Sequence, residues 1–380
     1  MELKRKILIA CDSSRSLLDF RGKLIEALLE QNEVFVFTPK ISQTSIRNTL
    51  DRLGVIVYEN GLDSSKVSVW SDIKYIISLY KVIKLIRPDV FFPYAFKPVI
   101  YGCLVANICG VKRITPMLTG LGYNFLNTES GTNIIKIITR GLLKLSLINR
   151  NRTSVILQNK DDYKTLLDFK IITNRNKAFV VNGSGVDLSH YVYSEPNCKQ
   201  ISFLMIARLI NAKGVNEYYE AAKVIRASFP FVKCQLIGPY DDNIDAIDKK
   251  LYEKLLSGDV IEYLGQVDDV RSFIKESSVL VLPSYYGEGI PRCILEAMAM
   301  GRAVLTTNSV GCKETVNEEP GESNGFLVPV KNVSALISKM EYYVINSKDI
   351  IKFGIQGRRY AQEKFDVHKV NKQMLNVLMG

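Results

Sequence analysis

The sequence predicts an α/β protein of two domains, each built on a parallel β-sheet that helices cover on both faces. Short apolar runs alternate with amphipathic segments along the whole chain, which is the order that produces such sheets. The chain has 380 residues, enough for two hydrophobic cores. Apolar residues make up 47% and charged residues 23%, a composition typical of a folded globular protein.

The first domain is predicted to span residues 1–190. Its strands are expected at residues 7–10, 34–38, 55–58, 90–92, 113–115, 155–158 and 178–181. Its helices are expected at about residues 17–31, 45–53, 73–86 and 133–149. The first turn, Cys11 to Ser14, has no Gly-x-Gly-x-x-Gly, so a dinucleotide fingerprint is absent there.

The second domain is predicted to span residues 191–365, after a linker at Ser194 to Asn197. Its strands are expected at residues 201–207, 234–237, 279–282, 303–307 and 325–328. A helix is expected at about residues 215–228, and a final helix follows residue 366.

The stretch from Val281 to Gly301 organises the second domain as a strand, a glycine turn and a helix. Pro291 suits the first helical position, where its missing N–H is not needed, and Gly301 suits the position just after the helix. The free N–H groups at the start of such a helix can hold a phosphate. We therefore expect the turn at Gly287 to Gly289 to contact a phosphorylated ligand.

Two glutamates in this stretch lie at different distances from the turn. Glu288 sits in the turn itself, and Glu296 lies eight residues later, in the helix. A carboxylate accepts two hydrogen bonds at once, which suits the vicinal hydroxyls of a ribose. Two glutamates eight residues apart would by themselves more often be a coincidence. The interpretation that both contact a ligand rests on the longer pattern in which they lie, Pro-Ser-x-x-x-Glu-Gly-x-Pro-x-x-x-x-x-Glu-Ala-x-Ala-x-Gly.

A second cluster follows the strand at residues 201–207. Arg208 offers a bidentate guanidinium and Lys213 a compact positive charge, at the end of the strand where doubly wound sheets bind ligands. Together they could hold a diphosphate and neutralise it as a leaving group without a metal. Alone, the two cations would as readily be surface charge; the glutamate pattern about eighty residues later favours a joint site.

Several absences narrow the function further. The histidines His190 and His368 fit no metal-ligand spacing, and no Asp-x-Asp, Walker loop or Gly-x-Ser-x-Gly is present, so we expect no metal or other cofactor. The seven cysteines form no Cys-x-x-Cys pair, which suits free thiols in a reducing compartment. No apolar run is long enough to span a bilayer, and the first strand is too short for a signal peptide, so we expect a cytoplasmic protein.

The excess positive charge lies entirely in the first half. Residues 1–190 hold 27 Lys and Arg against 16 Asp and Glu, whereas residues 191–380 hold 23 of each. This asymmetry suggests an anionic partner of the first domain, and no nucleic-acid motif accompanies it. Membrane headgroups or a pyrophosphate-bearing acceptor fit better, and a basic surface that serves only solubility is the alternative.

The predicted helix at residues 133–149 carries a basic stripe. Lys136, Arg140 and Lys144 are spaced four apart among isoleucines and leucines, so they share one face. Such a helix can lie on an anionic membrane surface. The alternative is a core helix of the first domain with a solvated stripe, and residues 73–87 pose the same choice.

The stretch from Val281 to Gly301 resembles the glutamate-x7-glutamate signature of the retaining glycosyltransferases of family 4. The resemblance implies the GT-B fold, in which two Rossmann-like domains face each other across a cleft and the last helix, here residues 366–380, packs back on the first domain. It implies that Arg208 and Lys213 bind the donor pyrophosphate, and that Glu288 contacts the donor sugar. The other implied donor-binding residues are Leu264, Gly265, Gly287, Gly289, Ile290 and Glu296.

The loop from Thr119 to Asn124 resembles one in the capsule and O-antigen branch of this family, which places Gly120 and Gly122 on the acceptor side. The segments 204–208 and 214–220 resemble bacterial enzymes that extend undecaprenyl-diphosphate-linked sugars, including N-acetylgalactosamine transferases. This implies a UDP-hexose or UDP-N-acetylhexosamine donor, a lipid-linked acceptor and the cytoplasmic face of the inner membrane. The first turn lacks the glycines that many family members carry there.

Two other functions remain open from the sequence. A sugar-nucleotide epimerase of the same fold would act on the nucleotide sugar with no acceptor, which incubation with donor alone would reveal. A non-catalytic member would only bind nucleotide sugar or scaffold an assembly complex. The intact set of Arg208, Lys213, Glu288 and Glu296 argues against the second alternative.

Overall fold

The computed structural model describes residues 4–62, 69–122, 125, 134–240 and 245–380. It forms two compact units: unit 1 comprises residues 1–184 and 367–380, and unit 2 comprises residues 185–366. Across these described ranges, no helix combines the length and apolar character needed to cross a membrane.

The strands, in chain order, are β1 (Arg5–Ala10), β2 (Asn32–Pro39), β3 (Ile56–Asn60), β4 (Val90–Pro93), β5 (Arg113–Ile114), β6 (Ser154–Leu157), β7 (Lys177–Val180), β8 (Ser202–Ile206), β9 (Lys233–Ile237), β10 (Glu262–Tyr263), β11 (Val279–Leu282), β12 (Ala303–Thr307) and β13 (Gly325–Val328). The helices are α1 (Ser14–Leu29), α2 (Thr44–Arg52), α3 (Val69–Ile86), α4 (Phe96–Ile108), α5 (Ile134–Ser146), α6 (Lys160–Asp168), α7 (Val215–Ser228), α8 (Lys249–Ser257), α9 (Arg271–Glu276), α10 (Arg292–Ala299), α11 (Val333–Ile345), α12 (Ser347–Lys364) and α13 (Val367–Met379).

Unit 1 is a parallel sheet in the order β3-β2-β1-β4-β5, covered on both faces. Successive side chains of a strand point to opposite faces, so Leu8 packs in the cluster formed with α3 and α4. Ile7 and Ile9 pack in the other cluster, formed with α1 and α13. The final helix α13 thus belongs to unit 1, where its Met374 is fully buried.

Unit 2 is a parallel sheet in the order β10-β9-β8-β11-β12-β13. This is the doubly wound order, in which the direction of winding reverses between β8 and β11. The two strands are direct neighbours, since Phe203 pairs with Val279 and Leu204 with Leu280. The loops after β8 and β11 therefore leave the sheet side by side, at the place where such sheets bind ligands.

The helix that follows the glycine turn begins one residue later than the sequence predicts. α10 starts at Arg292, and Pro291 is its N-cap rather than its first residue. The predicted end is observed: Gly301 has φ +83°, its N–H donates to Met298 O (3.0 Å), and that of Arg302 donates to Ala297 O (2.9 Å). This pair of bonds is the Schellman motif, which requires a residue with positive φ.

Two arginines fix residues 188–194 against the end of α10. The side chain of Arg302 is fully buried and donates to Ser277 O (2.8 Å), Met300 O (2.9 Å) and Ser194 Oγ (2.7 Å). Burial lowers its pKa to about 10. Arg358 donates to Tyr191 O (2.8 Å) and to Ala299 O (2.6 Å). The segment before β8 is thereby held on the helix that carries Glu296.

We predict that Arg302→Ala lowers the free energy of unfolding by about 3 kcal/mol, because each buried carbonyl left without its donor costs about 1–3 kcal/mol. The matched control is Arg359→Ala, whose side chain is 58% exposed and forms surface ion pairs, so its loss should cost far less. Denaturant unfolding of both variants measures the difference. Equal losses would contradict a structural role for the buried arginine.

Candidate functional site

The loop after β8 is held directly against the turn after β11. It ends in a 3₁₀ turn, Asn211–Lys213, and in Gly214, whose φ is +78°. A Cβ on Gly214 would lie 2.2 Å from Pro283 O, so only glycine allows this approach. The backbone N–H of Tyr285 donates to Ala212 O at 2.9 Å. The two loops at the switch point therefore form one surface.

An ion pair joins the two loops. Lys213 Nζ lies 2.7 Å from Glu288 Oε2, with the side chains only 13% and 11% exposed. Ser284 Oγ donates to the other oxygen, Glu288 Oε1, at 2.8 Å. Burial lowers the pKa of Lys213, but the carboxylate of Glu288 outweighs it, so the pKa lies above its ordinary value. Lys213 is thus charged at neutral pH and faces a fixed carboxylate.

The loop after β12 supports the turn that carries Glu288. The hydroxyls of Thr307 and Ser309 both donate to Ser284 O, the second at 2.8 Å. Gly311 has φ +80°, and a Cβ on it would lie 2.2 Å from Gly289 O. These contacts come from a third strand, which means that the glycine turn is fixed by the sheet and does not depend on a ligand.

The second glutamate is held by two donors. Glu296 is 8% exposed on α10, and its Oε1 accepts from Arg292 Nε at 2.6 Å and from Tyr191 OH at 2.8 Å. Burial, together with the charge of Glu296, raises the pKa of the Tyr191 phenol, so it remains a donor at neutral pH. The carboxylate is therefore oriented before any ligand arrives.

Arg208 does not join the ion pair. It is exposed in the loop after β8, and in the described ranges its guanidinium makes no ion pair or hydrogen bond with Glu288. Its charge counteracts the rise that burial causes in the pKa of Asp245. That Arg208 and Lys213 hold one diphosphate stays a prediction.

Leu264 and Gly265 lie at the carboxyl end of β10, on the same edge of the sheet. Leu264 N–H donates to Leu236 O at 2.9 Å, and Gly265 O accepts from Gly238 N–H at 2.9 Å. Gly238 in turn packs against the β8 loop, because its Cβ would lie 1.8 Å from Ala207 O. A continuous row of backbone contacts thus links these residues to the start of the Lys213 loop.

Gly287, Gly289 and Ile290 are buried within the turn beside Glu288. In unit 1, Gly120 and Gly122 have φ of +126° and +55° and are half-buried around the buried Leu121. They follow Leu118, whose N–H donates to Ile156 O at 3.0 Å. The predicted loop continues through residues 123 and 124, which lie outside the described residues.

Helix α5 exposes the isoleucines that a core helix would bury. Ile134 is 71% exposed and Ile137 53%, and Leu143 is a buried anchor near the end of the helix. Of the predicted stripe, Lys144 is exposed and Lys136 is half-buried. The core-helix alternative is therefore wrong for the first part of α5.

Arg140 differs from the two lysines of the stripe. Its guanidinium stacks over the rings of Phe169 and Phe125, with distances of 4.2 and 5.2 Å to the centroids. Arg140 thus contributes to packing as well as charge. On α3 the same mixture occurs: Tyr75 and Leu79 are buried, whereas Trp70 is 76% and Leu85 71% exposed.

Sequence reasoning missed several residues that shape the site. Arg292 lies four residues before Glu296 on a predicted helix, a spacing that brings the two side chains together and could have identified it. Tyr191 is 105 residues from its partner. Ser309 acts through a hydroxyl that donates to Ser284 O, and Gly311 acts through the close approach of its backbone to Gly289. No local sequence pattern predicts such contacts.

Residues 194–360 match the family of glycosyl transferases group 1. The chain is 27% identical over 347 residues to the N,N'-diacetylbacillosaminyl-diphospho-undecaprenol alpha-1,3-N-acetylgalactosaminyltransferase of Campylobacter jejuni, with 88% of each chain covered. It is 25% identical over 292 residues to the UDP-Gal:alpha-D-GlcNAc-diphosphoundecaprenol alpha-1,3-galactosyltransferase of Escherichia coli, with 72% of this chain and 71% of that one covered.

Solved structures resemble the fold over nearly the whole chain. Sucrose-phosphate synthase from Thermosynechococcus elongatus has a TM-score of 0.78 at 18% identity and 98% coverage of both chains. Anabaena HepE, solved with UDP and glucose, has a TM-score of 0.75 at 16% identity, covering 98% of this chain and 99% of its own. These likenesses confirm the predicted fold class.

We predict that Gly214→Ala lowers the free energy of unfolding well beyond the cost of a residue with positive φ. The matched control is Gly258→Ala: Gly258 has φ +73° with nothing within 4 Å of its Cβ, so this variant should lose only about 1–2 kcal/mol. In Gly214→Ala the methyl group must also displace Pro283. Denaturant unfolding compares the two variants, and equal losses would show that the loops do not need this close approach.

Proposed function

We propose that this glycosyltransferase of GT-B fold, whose residues 194–360 match the group 1 domain, moves a hexose or N-acetylhexosamine from a UDP-sugar to a lipid-linked glycan. The observation that carries this proposal is the ion pair of Lys213 and Glu288, largely shielded from solvent at the switch point of unit 2. The relatives from Campylobacter jejuni and Escherichia coli are named for transfer to undecaprenol-diphosphate-linked sugars, which supports an acceptor of that class. N-acetylgalactosamine is the specific sugar we favour.

In this proposal unit 2 binds the nucleotide part of the donor. Lys213 holds the diphosphate, and the exposed Arg208 closes on it from the same loop. Glu296 accepts hydrogen bonds from the ribose. The backbone at Leu264 and Gly265 receives the base, because these residues lie on the same edge of the sheet as the Lys213 loop.

The reaction follows from the charges around the diphosphate. The bond between the anomeric carbon and the phosphate oxygen breaks, and its electron pair leaves with UDP, where Lys213 and Arg208 neutralise the new charge. Glu288 stabilises the positive charge that develops on the sugar. The acceptor hydroxyl attacks from the same face and gives its proton to the departing phosphate, which retains the anomeric configuration. Since the two cations supply the positive charge, we propose that no metal is required.

We propose that unit 1 binds the lipid-linked acceptor. On α5, exposed isoleucines flank the half-buried Lys136, and Lys144 is exposed; on α3, exposed apolar side chains lie near Lys81 and Lys84. Apolar groups that enter the lipid interface beside cations that attract anionic headgroups are the features of a peripheral membrane helix. We propose that the protein works on the cytoplasmic face of the inner membrane, with Gly120 and Gly122 on the acceptor side.

We predict that Lys213→Ala and Glu288→Gln each lower kcat by about 100- to 1000-fold, because each removes a charge that acts on the transition state. Lys223→Ala, at an exposed lysine on α7, is the control and should keep wild-type activity. Release of UDP with acceptor present measures the rate, and incubation with donor alone tests for epimer formation. Near-normal rates in either site variant would refute its role.

We also predict that α5 binds anionic vesicles through both charge and apolar contact. Lys136→Gln with Lys144→Gln should weaken sedimentation with vesicles about tenfold or more at low salt, since each cation near the surface contributes about 1 kcal/mol. Ile134→Ser with Ile137→Ser should weaken it at all salt concentrations. The control is Ile345→Ser, because Ile345 is 71% exposed in unit 2, as Ile134 is in unit 1. Unchanged binding in both double variants would contradict the membrane face.

A further inference from the structure

The two carboxylate oxygens of Glu296 have different surroundings. Oε1 accepts both contacts, from Arg292 Nε at 2.6 Å and from Tyr191 OH at 2.8 Å. Across the described part of the chain, no hydrogen bond reaches Oε2. A carboxylate oxygen retains lone pairs for further donors. The geometry therefore leaves one oxygen of this buried carboxylate for a ligand hydroxyl.

Arg292 is suited to hold the carboxylate in place. It lies one turn before Glu296 on α10, its side chain is only 21% exposed, and it forms an ion pair at the (i, i+4) spacing. Burial lowers the pKa of Arg292, but the charge of Glu296 and the neighbouring Tyr191 together raise it above its ordinary value. Arg292 and Tyr191 thus donate to the same oxygen of Glu296.

Tyr191 links the segment before β8 to the Glu296 carboxylate. Its backbone carbonyl is fixed by Arg358 at 2.8 Å, and its ring packs edge-on against His190 with a centroid distance of 5.0 Å. Tyr191 is buried, and its hydroxyl donates to Glu296 Oε1. A tyrosine held in this way constrains where the Glu296 carboxylate can turn.

We propose that Arg292 and Tyr191 are positioning residues that fix Glu296 Oε1, so that Oε2 accepts a ribose hydroxyl of the donor nucleotide. This inference rests on the proposed function, since it needs a nucleotide in unit 2. Neither residue needs to touch the nucleotide. Both act by removing alternative orientations of the Glu296 carboxylate. This raises the selectivity for a ribose over a 2′,3′-dideoxyribose, which lacks the two hydroxyls.

The test compares the binding of UDP and 2′,3′-dideoxy-UDP by titration calorimetry. The wild-type protein should prefer UDP by about 10- to 100-fold, because a hydrogen bond to a charged acceptor contributes about 1.5–3 kcal/mol. Glu296→Gln should bring that ratio down to about 3 or less. Tyr191→Phe and Arg292→Met should each lower the ratio by about 3- to 10-fold while dideoxy-UDP binds as before. Arg292→Lys, which keeps the charge, should recover part of the preference.

Each other outcome identifies a different failure. If the wild-type protein binds neither nucleotide, the proposed function fails. If Glu296→Gln keeps the ratio, Glu296 does not bind the ribose. If only Tyr191→Phe and Arg292→Met keep it, these two residues do not position Glu296. If Arg292→Met weakens both nucleotides equally, Arg292 contacts the diphosphate directly, and the inference is wrong for that residue.

Discussion

The ion pair between Lys213 and Glu288 is the contact around which unit 2 is arranged. It requires the loops after β8 and β11 to touch, which Gly214 permits, and it requires a fixed glycine turn, which Ser284 and Gly311 provide. Removing two charges from water is costly, and such pairs are a poor source of stability. Their placement at a switch point is better explained by a ligand. A buried lysine that is already charged and oriented can bind an anion without reorganising.

Much of this site can be predicted from the sequence, because strands, turns and helix ends each have a local pattern of residue types. The strand at Val279–Leu282, the glycine turn and the stop at Gly301 all follow from residue type, and the GT-B fold class is confirmed. What the sequence did not contain is the partner of each charge. The sequence predicts a ligand for Glu296 without indicating Arg292 or Tyr191, and it pairs Arg208 with Lys213, which stays a prediction. The contact of Tyr191 with Glu296 depends on packing between distant segments, whereas Arg292 lies only one helical turn before Glu296.

Helix α5 shows a second limit of sequence reasoning. A stripe of cations among isoleucines is compatible with a buried helix and with one at a membrane surface, because both have the same period. Only the exposed fractions of the side chains distinguish the two kinds of helix. Ile134 is 71% exposed, so this part of α5 is not buried within unit 1. A protein that leaves several isoleucines beside lysines on its surface has an apolar area that water does not favour. The lipid-linked acceptor proposed above would give that area a use.

The most direct test of the central claim is a crystal structure of the protein with UDP bound. We expect an oxygen of the diphosphate within about 2.7–3.2 Å of Lys213 Nζ, with the ribose facing Glu296 and the carboxylate of Glu288 turned toward the space left for the sugar. UDP bound at another edge of the sheet, with the Lys213–Glu288 pair intact and no phosphate near it, would contradict the account.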